Sequence, residues 1–149
     1  MKVRIIYKKD GGVSVVYPAP KSRRPDETED QWLERVFSKS TPEGAEFKDI
    51  DTDIEDLSDR TFRNAWVKGV NGKAVDVDIP KAREITKDRL RIERKPLLDE
   101  QDVLFIKAQE IGADFTKIVA EKQRLRDITK LADIAVTLDE LKVLKAAAI

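Results

Sequence analysis

Apolar and polar positions alternate near the start of the chain in a way that is typical of short β-strands. Two runs rich in β-branched and aromatic residues, Val3–Tyr7 and Val13–Tyr17, flank the glycine-containing segment Lys9–Gly12. Asp-Gly and Gly-Gly pairs supply the positive φ angles that a tight hairpin turn requires. The pattern therefore predicts a β-hairpin, and the alternation in Glu46–Ile50 predicts a third strand.

A helical period lies between the second and third strands. Thr28 and Gln31 have the spacing of a capping box, which marks the beginning of a helix. Apolar side chains then recur three and four residues apart, which predicts a short amphipathic helix over residues 29–38 that covers one face of the hairpin. Its apolar positions are Trp32, Leu33, Val36 and Phe37. We expect Trp32, and Trp66 further along the chain, to be buried core residues.

The segment after the third strand is acidic and then aromatic. Residues 51–59 contain few apolar positions and indicate a loop, whose carboxylates lack the spacing of a helix–loop–helix calcium site. Residues 60–66 predict a short helix or turn with two aromatic side chains facing inward. The pair Asn71–Gly72 lies between two apolar runs and indicates either a second hairpin or an exposed loop.

The second half of the chain has the pattern of helices. Pro80 is tolerated in the first turn of a helix that follows Asp78 and runs to about Arg94. Pro96 lacks an N–H group, so we expect it to kink or break this helix. A further helix then runs from Leu97 to about Ile111.

Two more helices are predicted beyond this point. One begins at Asp114, after a turn at Gly112–Ala113. A capping box formed by Thr137 and Glu140 opens the last short helix. The end of the chain, Ala146–Ile149, is expected to fray unless a partner holds it.

The helices on either side of Gly112–Ala113 should form a helical hairpin, since short connections join antiparallel neighbours. Residues at equal distances from the turn should then face each other. The pairs predicted on this basis are Leu98 with Asp127, Asp99 with Arg126, and Asp102 with Gln123.

Together these elements predict an α+β fold: an N-terminal β-hairpin or small antiparallel sheet with a covering helix, then a C-terminal α-helical hairpin. We expect a β-hairpin and helix domain over residues 1–50 and a loop-rich connector over residues 51–77. A helical hairpin with a short C-terminal helix should occupy residues 78–149. Because two strands alone are marginally stable in water, the N-terminal hairpin is a candidate for docking to a partner.

Composition excludes several classes of chemistry. The 149 residues contain no cysteine and no histidine, which excludes disulfides and thiol catalysis and removes the commonest general base and metal ligand. No nucleotide-binding glycine loop or nucleophile motif is present. We therefore predict no enzyme activity, no catalytic residue, no metal and no cofactor. No apolar run is long enough to span a membrane and no signal peptide is evident, so an intracellular protein is expected.

Charge is unevenly distributed although the chain as a whole is neutral. Residues 26–60 contain 13 acidic and 4 basic side chains, a net charge of −9. Residues 79–95 contain 7 basic and 3 acidic side chains, a net charge of +4. These two regions either neutralise each other by packing nearby or form two separate interaction faces.

The basic helix 79–95 raises the alternative of a nucleic-acid-associated accessory protein, because its cations could neutralise phosphates. Glu84, Asp88 and Glu93 are interleaved with these cations, as in the ion pairs of a solvated helix face. No aromatic residue is interleaved for base stacking. Nucleic-acid binding is therefore the second interpretation of this helix.

A motif in the C-terminal half carries a family resemblance. The stretch 91–102 has the form Arg-x-x-Arg-x-x-Leu-Leu-x-x-x-Asp, and Lys-Gln-Arg-Leu-Arg-Asp-Ile follows at 122–128. This pair, within residues 89–129, resembles the helical hairpin of small phage tail assembly chaperones and tail-fibre assembly proteins. In that family Trp often stands at the position of Val103 and Tyr at that of Glu121.

The resemblance implies a non-enzymatic phage protein that binds a tail, baseplate or tail-fibre protein during virion morphogenesis. It would act in the host cytoplasm, either as an assembly chaperone or as a part retained in the virion; self-association is left open. The candidate partner-binding or hairpin-stabilising residues are Arg91, Arg94, Asp102, Gln123, Arg126 and Asp127. They are expected to form a polar network along the helix–helix seam, which either only holds the hairpin together or also docks the partner.

Overall fold

In a computed structural model that describes residues 1–147, the chain folds as two compact units, Met1–Asp78 and a second unit that begins at Ile79. The first unit contains strands and one α-helix, and the second is entirely helical. The predicted α+β class is therefore confirmed. The described chain has no helix that is both long enough and apolar enough to cross a membrane.

The first unit is built on a three-stranded antiparallel sheet. Strand β1 (Lys2–Tyr7) lies in the centre, between β2 (Val13–Val16) and β3 (Glu46–Asp51). The predicted hairpin turn is present, with Gly11 at a φ of 87°. The predicted third strand is also present, so the hairpin finds its missing neighbour within its own unit. The reason for assigning the hairpin to a partner is thereby removed.

One face of this sheet is covered by helix α1 (Glu29–Ser40). The capping box predicted from Thr28 and Gln31 forms at its beginning. Trp32, Leu33 and Phe37 are buried and pack with Val16 and Val36. This helix runs two residues beyond the predicted end at residue 38.

The opposite face packs against the segment that was expected to be a connector. After an irregular stretch and a short 3₁₀-helix (Arg63–Ala65), strands β4 (Trp66–Lys68) and β5 (Val75–Val77) form the second predicted hairpin. Its core contacts are made by Val3, Ile5, Leu57, Trp66 and Ala74. Residues 51–77 therefore share the core of the N-terminal sheet. Both tryptophans are buried, as expected.

The tip of the second hairpin depends on a close approach of two backbone segments. A Cβ atom added at Gly69 would lie 2.4 Å from the carbonyl oxygen of Lys73. The Tyr7 hydroxyl donates to the carbonyl of Ala74 at 2.9 Å, and the Glu55 carboxylate accepts from the Ala74 N–H. These bonds attach the hairpin to strand β1 and to the acidic loop.

The second unit is organised around one long helix. Helix α2 runs from Ile79 to Glu110, and α3 (Thr116–Asp127), α4 (Lys130–Ile134) and α5 (Leu138–Val143) follow it. Of the two outcomes expected at Pro96, a break followed by a separate helix is wrong, because α2 continues through this residue. Pro96 has no N–H group to donate to the carbonyl of Ile92, and Ile92 is 75% exposed. The freed carbonyl therefore lies on a side of the helix that water can reach.

The turn between α2 and α3 forms where it was predicted. Gly112 has a φ of 66°, a value that glycine adopts without the penalty of a Cβ atom. Asp114 does not stand at the N-cap position, which Phe115 occupies, but its carboxylate accepts from the Thr116 N–H at 3.0 Å. Hydrogen bonds from the Thr116 hydroxyl and N–H hold the pKa of Asp114 below its usual value.

The last helix begins with the predicted capping box between Thr137 and Glu140. The segment after it is fixed rather than frayed at Ala146, which is fully buried. Its N–H donates to Glu93 at 3.0 Å, and its carbonyl accepts from Arg124 at 2.9 Å. Residues 148 and 149 of the expected frayed end lie outside the described residues.

Candidate partner-binding surface

The two halves of α2 have different surroundings. The first half is held by hydrogen bonds to the segments that contain α4 and α5. Arg83 donates to the carbonyl of Ala135 at 2.9 Å, and Arg89 donates to the carbonyl of Leu141 at 3.1 Å. Between α2 and these later segments lies the apolar interior of the unit, to which α2 contributes the fully buried Leu90.

Several cations of the basic helix are occupied by these contacts. Lys87 forms ion pairs with Glu84 at 3.0 Å and Asp133 at 2.6 Å, and these carboxylates raise its pKa. Arg89 also pairs with Glu93, 2.8 Å away on the next turn. The net positive charge of residues 79–95 is thus partly used inside the second unit.

The second half of α2 and the first part of α3 form a two-helix projection, which we call the arm (residues 95–122). Ala108 is the one buried residue in this range, all of which the structure describes. Six apolar side chains of the arm are substantially exposed: Val103, Leu104, Ile106, Ile111, Phe115 and Val119. The arm therefore exposes apolar surface on the half of α2 that its companion helices leave uncovered.

Three of the arm's apolar residues adjoin one another across the two helices, and we call them the aromatic strip: Phe105, Phe115 and Val119. Phe105 and Phe115 pack edge to face across the two helices, with ring centroids 4.9 Å apart. Val119 lies one helical turn after Phe115 and therefore adjoins the aromatic pair. Ile106 follows Phe105 directly and is turned by about 100° around α2, so it lies on a different side of that helix. Ile106 is 55% and Val119 45% exposed.

An ion pair borders the aromatic strip on the side away from the turn. Lys122 lies 2.6 Å from Asp102 on the facing helix, and its ammonium nitrogen is 5.1 Å from the centre of the Phe105 ring. Only 16% of the Lys122 side chain is exposed. Its stem therefore packs between the helices, and the cation fixes the relative position of α2 and α3 at this level.

The candidate polar residues do not form one network. Three of them take part in contacts between helices: Asp102 pairs with Lys122, and Arg94 donates to the main-chain carbonyl of Arg126 at 2.8 Å. The others make contacts within their own helix or with its immediate continuation. Arg91 pairs with Asp88, Gln123 donates to Asp127, and Asp127 pairs with Lys130.

The predicted pairing of residues across the two helices is off by one residue at Asp102 and does not form at Asp99. Asp102 meets Lys122, the residue next to the predicted Gln123. Asp99 instead pairs with Lys95 of its own helix, at 3.1 Å. The pKa of Asp127 is lowered by the amide of Gln123 and then by Lys130.

Sequence reasoning missed Lys122, Phe105 and Phe115. Lys122 could have been found from its position. It is next to Gln123, the predicted partner of Asp102, and a lysine can form an ion pair with this carboxylate whereas a glutamine cannot. Phe105 lies seven residues before Gly112 and Phe115 three residues after it, so equal spacing from the turn does not predict their contact. Their exposure depends on where α4 and α5 end, and no local pattern reports that.

The described residues contain no group of three or more acidic side chains placed to hold a metal ion. Comparison with protein-family models, with curated proteins and with solved structures found no match to this chain. The arm therefore offers two pointers to function, its exposed apolar surface and the sequence motif that overlaps it at 91–102 and 122–128.

Proposed function

We propose that this protein is a non-enzymatic phage morphogenesis protein that binds a tail or tail-fibre protein through the arm. The observation that carries the proposal is the aromatic strip. Isolated exposed apolar residues are ordinary on protein surfaces, but adjoining ones mark interaction sites. Here three adjoin one another on a two-helix projection in which Ala108 is the one buried residue.

The arm is suited to binding because it is held in shape before a partner arrives. The Phe105–Phe115 contact and the Asp102–Lys122 ion pair join its helices on the flank that would be covered. A surface that is already ordered loses less conformational entropy on association. Aromatic side chains also contribute much of the binding energy at protein interfaces.

The assignment to phage tails rests on the resemblance of residues 89–129 to tail assembly chaperones, and the arm lies within this range. The proposal has two forms. A chaperone would bind the tail or fibre protein transiently in the host cytoplasm, whereas a structural part would remain in the virion. In both forms of the proposal, the partner covers the exposed apolar residues of the arm.

A pull-down from cells that produce the particles tests the proposal, with nuclease treatment and with purified particles analysed in parallel by mass spectrometry. Tail or fibre proteins in the pull-down support the proposal. Absence of the chain from particles then identifies a chaperone, and its presence identifies a structural part. Recovery of no phage protein would contradict the assignment.

Paired variants locate the interface. Val119→Lys places a charge within the aromatic strip and should abolish recovery of the partner. Ile106→Lys places a charge on the exposed side of α2 in the arm and should weaken recovery. Ile134→Lys is the matched control, because Ile134 is a 73% exposed apolar residue outside the arm. Equal recovery with all three variants would show that the arm is not the binding surface.

The second candidate function is nucleic-acid binding through residues 79–95. Its support is weaker because Arg83, Lys87 and Arg89 are bound to groups of their own unit. A phosphate would have to compete with these partners. Partners that are lost only after nuclease treatment would favour this alternative over the arm.

A further inference from the structure

The acidic stretch of the first unit has no role in the proposed function of the arm, and part of it forms an exposed edge of the sheet. In the strand order β2–β1–β3, strand β3 is at an edge and pairs with β1 alone among the described residues. Edge strands that present backbone groups can accept a further strand from another polypeptide.

The register identifies which backbone groups of β3 point outward. Thr52 donates to the carbonyl of Met1, and Ile50 pairs with Val3. Hydrogen-bonded pairs alternate along an antiparallel ladder, so Ile50 and Lys48 direct their N–H and C=O groups toward β1. Phe47 and Asp49 alternate with these residues along β3, so they direct their N–H and C=O groups toward the open edge. Phe47 is 46% exposed.

An open groove lies beside this edge, between α1 and the face of β3. Its volume is about 410 Å³. Leu33 and Phe37 of α1 provide its apolar lining. A side chain that projects from an added strand on the α1 side would enter this groove.

The groove carries a surplus of negative charge. Its lining has four carboxylates, Asp30, Glu34, Asp49 and Asp51, and two cations, Lys2 and Arg4. Including the terminal amine and Asp53, which lie beside Asp51, gives five negative and three positive charges, a net charge of −2. Ion pairs with Lys2, Arg4 and the terminal amine offset Asp30, Asp49 and Asp51, which leaves a surplus of two negative charges.

We propose that the β3 edge accepts an extended, basic segment of a partner protein as a fourth strand. Main-chain hydrogen bonds to Phe47 and Asp49 would align the segment. Its lysine or arginine side chains, at alternate positions, would lie opposite the acidic side chains on the groove face. The surplus of negative charge in the groove disfavours pairing with a second copy, because two identical edges would bring like charges together. This proposal does not depend on the arm.

The test uses the full-length protein and a fluorescent peptide of alternating lysine and valine, measured by fluorescence anisotropy at low salt. A peptide of alternating glutamate and valine is the charge control. A peptide with the same lysines and valines in two blocks is the pattern control. Tighter binding of the alternating basic peptide than of both controls is expected, with amide shifts in an NMR spectrum confined to β3 and α1. Equal binding of the blocked peptide would overturn strand pairing.

Phe47→Pro and Phe47→Ala form the decisive pair of variants. Both remove the aromatic ring, but only proline removes the outward N–H, while the ladder to β1 keeps its bonds. Phe47→Pro should bind the peptide about tenfold or more weakly than Phe47→Ala. Equal affinities of the two variants would overturn the proposal, provided that circular dichroism shows both to be folded.

A second measurement does not depend on how β3 tolerates proline. Changing Asp30 and Glu34 to lysine alters only side chains of α1 and reverses the charge of the groove. Weaker binding supports the basic partner, and unchanged binding contradicts it. If the unliganded protein is instead a dimer that Phe47→Pro converts to a monomer, a second copy is the occupant and the proposal is wrong.

Discussion

Arg4 is a buried cation whose surroundings allow a quantitative prediction. Its side chain forms two hydrogen bonds to the carboxylate of Asp49, at 2.7 and 2.8 Å, and a third to the Thr41 hydroxyl at 3.2 Å. Its guanidinium lies 4.8 Å from the ring centre of Phe37 and 3.8 Å from that of Phe47. Asp49 raises the pKa of Arg4, so the cation persists at every ordinary pH.

The two partners of this ion pair should not be equally costly to remove. Asp49→Ala leaves a 7% exposed guanidinium without its anion. Breaking a fully buried pair costs roughly 3–5 kcal/mol, and because Asp49 is 44% exposed we expect about 2 kcal/mol here. Arg4→Met removes the charge together with its desolvation penalty and keeps an apolar side chain between the rings. We expect it to cost about 1 kcal/mol, mainly through lost cation–π contacts.

Urea unfolding followed by tryptophan fluorescence measures this difference in the first unit alone, since both tryptophans belong to that unit. With a denaturant slope of about 1 kcal/mol/M, Asp49→Ala should lower the midpoint by about 2 M and Arg4→Met by about 1 M. The double variant should resemble Arg4→Met, because no buried cation remains to be paired. If Arg4→Met is the more costly single change, the argument from desolvation is wrong.

Three further predictions concern individual contacts. The Ala146 N–H lowers the pKa of Glu93, so the contact is complete above the usual value of 4.5 and is lost as pH falls through the lower folded value. The protection factor of the Ala146 amide against hydrogen exchange should therefore fall in acid, and in Glu93→Gln it should lose this pH dependence. Gly112→Ala should destabilise the helical unit by about 1 kcal/mol, measured by circular dichroism, because φ is positive there while open space surrounds the added methyl group. Arg35 lowers the pKa of Glu27 to about 2, and an NMR titration of Arg35→Gln should find it returned toward 4.5.

Elements of the fold with local causes could be predicted from the sequence. Both capping boxes, the glycine turns and the alternating strands depend on residues a few positions apart, so their patterns are visible without tertiary information. The continuation of α2 through Pro96 could not be predicted in this way. It depends on whether the carbonyl of Ile92 faces water or a neighbour, which only the packing of α3 and α5 decides.

The candidate surface was only partly accessible to sequence reasoning. Asp102 and Arg94 were correctly placed at the seam, because antiparallel geometry follows from the short turn. The expected single network fails because Gln123 and Asp127 lie one turn apart on α3 and satisfy each other. Within-helix pairs of this kind compete with every contact across a seam, and spacing alone does not tell which prevails.

The exposure of Ile106 on the arm follows from helix geometry. Ala108 faces α3, and Ile106, two residues away, is displaced by about 160° around the helix axis, so it cannot face the same neighbour. A two-helix hairpin has one interface, and burying both residues requires a third element. In the first half of α2 the segments around α4 and α5 supply it, through contacts at Arg83, Arg89 and Glu93. In the arm, the described residues of the second unit supply no third element. A helix or strand of a partner would complete the packing there.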